Sequence, residues 1–131
     1  MALSEKEALQ KALDEVEATR VLSHSMQGLL SEAFGGRFRN AFDAIKGSRI
    51  RKLIFSPSNR VLWLVSGKGR EYMILPYAGF CSCEDFYFRV ISNEEYLCYH
   101  LLAQRLAETL QQYATFEEQD DRYHELTKKI L

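Results

Sequence analysis

The chain has too few cysteines for a disulfide framework. There are three in 131 residues, an odd number, which fits a reducing compartment and metal binding better than cross-linking. No apolar run approaches the roughly 18 residues of a membrane span. The first residues, Met1-Ala2-Leu3-Ser4-Glu5-Lys6, have no basic stretch followed by an apolar one, so a secretory signal is not expected. Internal repeats and low-complexity tracts are lacking. Gly67-Lys68-Gly69 is too short for a phosphate loop. Ser23, Ser25 and Ser31 fit no nucleophile elbow, and no paired-carboxylate or Ser/His/Asp arrangement stands out. The chain is therefore not expected to be an enzyme, to take a small-molecule substrate or to enter a membrane. An intracellular place is expected, cytoplasmic in a prokaryote and nuclear in a eukaryote.

Length and composition fit one soluble globular domain able to bury its own core, with 47% hydrophobic and 27% charged residues. A strong net charge is also missing, since the formal total is −1. Its distribution is uneven. Residues 36–71 balance to +7, between flanks of −3 (1–35) and −5 (72–131). Arg37, Arg39, Lys46, Arg49, Arg51, Arg60, Lys68 and Arg70 are thus candidate contacts to a DNA backbone. The plainer reading is a solvated surface interrupted by acids from elsewhere in the fold, because phosphate binding needs cations that converge.

Periodicity, with the Cys/His pairs at Cys81, Cys83, Cys98 and His100 taken as a zinc clamp, predicts an α+β domain of N-terminal helices, a three-stranded antiparallel meander, a zinc-clamped hairpin and two C-terminal helices. Ser4 and Glu7 have capping-box spacing, and Leu9, Leu13 and Val16 follow as one helical stripe over about 5–20. A less regular helix through Val21, Leu22, Met26, Leu29 and Leu30 should break at Gly35-Gly36. Phe38, Ala41, Phe42 and Ile45 share a third helical face that ends at Gly47. Strands are expected over 49–55, 60–66 and 71–75, with the Ser56-Pro57-Ser58-Asn59 turn after the first. The second strand reads as central and covered on both faces, with Trp63 in the core. Asp85 can N-cap a short helix over 86–91, and a longer helix runs over about 98–113. Thr115 and Glu118 look like a second capping box opening a last helix with Phe116, Tyr123, Leu126 and Ile130 on one side. The single domain thus divides into a helical part (1–47), the meander (48–76), the zinc finger (77–113) and a C-terminal helix (114–131). The stripes Leu9/Leu13/Val16 and Leu126/Ile130 are candidate docking faces, or else pack on the protein's own core. His24 and His124 have no metal partner nearby in sequence and should lie on the surface.

All three cysteines fall in one constellation. Cys81-Ser82-Cys83 is followed by fourteen residues and then Cys98-Tyr99-His100. Residues two apart on an extended segment project to the same side, so Cys81 and Cys83 can pinch one ion. A disulfide between them would be strained. Cys98 and His100 open a helix, whose free N–H groups and dipole favour thiolate. Three sulfurs and one imidazole are the donor set of a closed tetrahedral zinc site. Four protein ligands leave no open position, and three thiolates give zinc a formal −1, so one structural Zn2+ is expected. The alternatives are three buried free cysteines with a satisfied histidine, or redox chemistry. The latter is disfavoured because redox motifs space their cysteines by two residues. Around this site, Phe86 and Phe88 are expected to pack inward rather than stack on bases.

The pattern Cys-x-Cys, spacer, Cys-x-His, extended here to Cys98-Tyr99-His100-Leu101-Leu102-Ala103, resembles the SWIM-type zinc finger. Over most of its length the chain is similar to the small stand-alone SWIM subunit of the Shu-type recombination complex. That similarity runs through Phe34-Gly35-Gly36, Ala41-Phe42-Asp43, Ile54 to Val61, Cys81-Ser82-Cys83 with Phe86 and Phe88, and Cys98 to Ala103. It implies metal ligation by Cys81, Cys83, Cys98 and His100. It also implies pairing with a RecA/Rad-type recombinase paralogue that helps filaments assemble on single-stranded DNA. The alternative is a module that binds single-stranded DNA directly through residues 37–70. Animal members often carry a basic residue where Tyr99 stands, and Glu84 and Asp85 follow the first cysteine pair. The finger's rim is therefore less cationic, which turns attention for DNA contact to the basic stretch before it.

Overall fold

A computed structural model describes residues 3–67, 69–93 and 95–130. Three helices come first: α1 (Glu5–Thr19), α2 (His24–Phe34) and α3 (Gly36–Lys46). The Ser4 hydroxyl accepts from the Glu7 N–H at 3.1 Å, and the Glu7 carboxylate accepts from the Ser4 N–H at 3.1 Å, closing the capping box. Ala8, Leu9, Ala12, Leu13 and Val16 form the buried stripe of α1. Ser23 caps α2 by accepting from the Met26 N–H. Gly35, at φ 63° and ψ −135°, alone separates α2 from α3, and only glycine adopts this backbone without strain. On α3, Phe38, Ala41, Ala44 and Ile45 are buried, while Phe42 is partly so.

Three strands follow, β1 (Ile50–Ser56), β2 (Val61–Gly67) and β3 (Arg70–Leu75), paired as an antiparallel meander. The two-residue strand β4 (Phe80–Cys81) adds to the outer edge of β3, with Cys81 opposite Ile74. The helix α4 (Tyr99–Leu110) packs behind. The chain then forms β5 (Ala114–Gln119) and α5 (Asp121–Ile130). The sheet order is β4-β3-β2-β1-β5.

Residues 114–119 depart from the helix predicted for 114–131. They run parallel to β1, from Arg51 opposite Ala114 to Ser56 opposite Gln119. The open edge of β1 supplies backbone partners that a local capping-box pattern cannot show, and tertiary pairing overrides it. Thr115 and Glu118 therefore cap nothing, and the sheet has five strands rather than three. Asp120 joins this strand to the first turn: its carboxylate accepts from the Ser58 N–H at 3.0 Å and the Ser58 hydroxyl at 2.7 Å. Asp121 in the first turn of α5 and Lys128 and Lys129 in its last turn suit the helix dipole, whereas Glu117 and Glu118 lie on β5.

Alternation along the strands divides the core in two. Ile50, Trp63, Val65 and Ile74 face α1 to α4, with Trp63 edge-on to Tyr113 at 4.8 Å. Leu53, Phe55, Leu62, Leu64 and Met73 face the other way, where Tyr123, Leu126 and Ile130 of α5 cover them. Phe55 meets Tyr123 edge-on at 5.0 Å. The central strand β2 is covered on both faces, as its unbroken apolar run predicts. Both candidate docking stripes are used internally. Leu9, Leu13 and Val16 lie in the first cluster, and Leu126 and Ile130 pack on the second.

One ion pair ties the helical layer to the segment that enters α4. The Arg37 guanidinium donates to both Glu5 oxygens, at 2.9 and 2.7 Å, and to the Leu97 carbonyl at 2.8 Å. Glu5 also accepts from the Tyr96 N–H at 3.1 Å, and Glu95 lies 3.5 Å from Arg37. A bidentate arginine–carboxylate pair is among the stronger surface-proximal interactions. The hydrogen bonds from Arg37 hold Glu5 below the usual carboxylate range. Its folded pKa is depressed, so its contribution to stability is present above the unfolded value of 4.5 and is lost as pH falls through the lower, folded value. Thermal melts of wild type and Glu5→Gln across pH should therefore differ fully at neutral pH and converge as pH falls below 4.5 and through the lower folded value. Arg37→Ala should cost on the order of 2 to 3 kcal/mol in denaturant melts, because it strips charged hydrogen bonds from a half-buried site.

Candidate metal centre

The site is built where the sheet hands over to α4. Cys81 ends β4, and Ser82 then ties the turn to β3 twice. Its N–H donates to the Met73 carbonyl at 3.0 Å, and its hydroxyl accepts from the Met73 N–H at 2.9 Å. This clamp fixes the curvature of Cys81-Ser82-Cys83. The sequence pattern did not single out Ser82, although a hydroxyl between two ligand positions was a signal. Cys98 stands at the N-cap of α4 and His100 in its first turn. All four side chains are buried, and their ligand atoms lie within 4.8 Å of one another.

Both ring nitrogens of His100 are buried without a hydrogen-bond partner. An imidazole left so would carry an unrecovered desolvation cost, unless a cation takes up one nitrogen. The ring is clamped between Tyr72 and Tyr99, with centroids at 4.0 and 3.8 Å. The three thiols compete for ionisation. Hydrogen bonds from Cys81 and Cys98 hold Cys83 well below the usual thiol range, and donating that hydrogen bond, with burial, pushes Cys81 well above it. Three thiolates in one buried cluster need a cation to balance them. Cys81, Cys83, Cys98 and His100 thus fit zinc in donor type, number and proximity. Bound there, zinc would supply a cross-link between the β4 turn and α4. These four side chains would supply all the donors that a structural zinc needs.

The segment between the ligand pairs differs from expectation at two points. Asp85 does not N-cap the short helix: it has helical angles itself, and Cys83 Sγ accepts the Phe86 N–H at 3.4 Å instead. The turn Phe86–Val90 is wound as a π-helix. Phe86 points inward, 8% exposed and edge-on to Phe80 at 5.4 Å. Phe88 was expected to pack inward too, but it is 72% exposed. Two residues along a helical turn point in nearly opposite directions, so with Phe86 turned inward Phe88 faces out, and a helix over 86–91 cannot bury both.

The basic candidates do not form one patch. Arg37 is committed to Glu5, and Arg51 pairs with Glu71 across the strands. Arg39 and Lys46 are exposed on α3, with Lys46 lying over Phe42. Arg49 and Arg70 share a shallow cleft of about 380 Å³ with Gly67 and Gly69. Arg60 lies over Tyr123 at the opposite end of β2, about 20 Å away at strand rise. Lys68 lies outside the described residues. A larger cleft of about 550 Å³ opens beside the cluster, lined by both charge signs, among them Arg70, Asp85, Arg89 and Glu95. His24 and His124 are exposed.

Two curated relatives resemble the chain. One, from Dictyostelium discoideum, is named zinc finger SWIM domain-containing protein 7 homolog. It is 30% identical over 115 residues, covering 86% of this chain and 74% of the relative. The other, mouse zinc finger SWIM domain-containing protein 7, is 36% identical over 83 residues, covering 62% of this chain and 54% of the relative. No family model matches the chain, and no solved structure matches it.

Cys98→Ser or His100→Ala should abolish stoichiometric zinc by elemental analysis. Either should lower Tm by roughly 10 °C or more, because metal affinity is also folding energy. Retention of metal by both variants would contradict this ligand set. A second expectation concerns Gly67, where an added Cβ would sit 2.6 Å from the Tyr99 hydroxyl. Gly67→Ala should cost about 1 kcal/mol by displacing Tyr99 from His100. Combining it with Tyr99→Phe should recover part of that loss in a double-mutant cycle.

Proposed function

This chain belongs to the family of SWIM-type zinc finger proteins, and we propose that it acts there as a non-catalytic accessory subunit of homologous recombination and DNA repair. In this reading it pairs with a RecA/Rad-type recombinase paralogue and promotes filament assembly on single-stranded DNA. One zinc ion has a structural role. The observation that carries the non-catalytic part is the donor set: four buried protein side chains close together among the described residues, enough to complete a structural zinc site without water or substrate. A centre of this kind stabilises the surfaces around it and does not polarise a substrate. The recombination role is supported by the likeness to the small stand-alone SWIM subunit, which extends beyond the ligands into α3 and the β1–β2 turn.

A second reading is direct binding of single-stranded DNA, favoured by the shared cleft of Arg49 and Arg70. The pairing of Arg37 and Arg51 with acids weighs against it, since those cations already have partners. Among the described residues, the candidate cations without acid partners are dispersed: Arg39 and Lys46 on α3, Arg49 and Arg70 at one end of β2, and Arg60 at the other.

Two measurements decide between them. Co-expression with each RecA-type paralogue of the source organism should yield a stable complex with one of them. Zinc-loaded protein alone should bind a single-stranded oligonucleotide weakly or not at all. Tight binding by the isolated chain that falls steeply with salt, and is lost in Arg49→Glu/Arg70→Glu, would favour the second reading.

A further inference from the structure

The π-turn leaves an unusual surface beside the metal centre. Tyr87, Phe88 and Ile91 are 58, 72 and 58% exposed. They fall at successive and one-turn spacings on a single short helical segment, so they share its outer face. Isolated exposed apolar residues are ordinary, but two aromatics and an isoleucine on one turn form a patch. Aromatic side chains of this kind anchor protein interfaces. The patch is anchored, because Phe86 beneath it is buried and its N–H donates to Cys83 Sγ. Its preorganisation lowers the entropy cost of docking.

The border of the patch is acidic. Glu84 and Asp85 line a shallow notch with Phe88 and Arg89. Glu84 forms no ion pair among the described residues, and the Asp85–Arg89 contact is long, at 3.6 Å. Two carboxylates thus border an apolar face with one arginine between them. A second copy of this chain fits poorly there, since a two-fold contact would bring the acids of both copies toward each other. A partner with apolar side chains flanked by lysine or arginine is complementary in both respects.

We propose that Tyr87, Phe88 and Ile91, bordered by Glu84 and Asp85, form a docking surface for a folded protein that presents an apolar patch with a basic rim. The proposal rests on the accessory-subunit reading only in taking the recombinase paralogue as the protein that fills this surface.

The test has two arms. In the first, the paralogue that co-purifies with wild type is challenged with Phe88→Asp and Tyr87→Asp. Zinc content and Tm, unchanged from wild type, show that the fold is intact. Loss of the complex by about tenfold or more in affinity supports the surface. Retention of the complex overturns it while leaving the accessory role standing. In the second arm, amide chemical shifts of zinc-loaded protein are followed on adding an amphipathic Leu/Lys peptide or its Leu/Glu counterpart. Shifts centred on 84–91, stronger for the Leu/Lys peptide and reversed in preference by Glu84→Lys, support the surface. Equal or absent responses there overturn it. If wild type forms a complex with no paralogue, the accessory reading fails and the peptide arm alone decides the surface. A concentration-dependent dimer of wild type, abolished by Phe88→Asp, would assign the patch to a second copy and overturn the proposal.

Discussion

The demand that three sulfurs and an imidazole close on one point governs the C-terminal half of this molecule. The donors come in two pairs separated by fourteen residues, one pair on the sheet edge and one at the start of α4. Bringing them together closes a loop whose entropy would otherwise oppose folding. It also fixes how α4 leaves the sheet, and α4 forms the floor of the larger core cluster. The surrounding polar contacts serve the same closure. Ser82 hooks the first pair to β3. Arg37 and Glu5 hold the segment that delivers the second pair, through the Leu97 carbonyl and the Tyr96 N–H. Tyr72 and Tyr99 set the plane of the imidazole.

This arrangement separates two tasks often merged in small zinc domains. The chain buries two apolar clusters, one on each side of the sheet, so a core exists apart from the metal. The cross-link acts on the part that has least core of its own, the stretch between β3 and α4. There the two-residue strand β4 and the π-turn would gain little from packing alone. A metal at that place converts a long connection into a shaped surface.

Much of this was legible in the residues. The Ser4 capping box, the three meander strands and the buried central strand follow from local periodicity and turn chemistry, while the caps read at Asp85 and Thr115 do not form. The donor cluster follows from ligand spacing, and the curated relatives agree with the SWIM pattern that Ala103 completes. The misses have two causes, one long-range and one local. Strand β5 exists because β1 offers an open edge, and that edge is known only once the sheet is assembled. The same six residues carry a helix-like cap pattern, and nothing local decides between the two. Phe88 faces outward because the chain winds as a π-turn against Cys83. Arg37 reads as a free cation in sequence, yet its partners lie 32 residues before it and about 60 after. The ion pairs and the edge strand are long-range facts, and composition shows only that the charges exist.

The parallel pairing of β5 with β1 makes the last segment of the chain part of its middle. β5 guards the edge of β1, and α5 roofs the cluster of Leu53, Phe55, Leu62, Leu64 and Met73. A chain cut after Tyr113 would keep every ligand donor. It would also bare a seven-residue strand edge and a greasy sheet face together, the combination that drives chains to stick to one another. The finger therefore cannot be excised from this fold at the point where its sequence motif ends. What looks like a tail is the cover of one strand edge and one apolar sheet face.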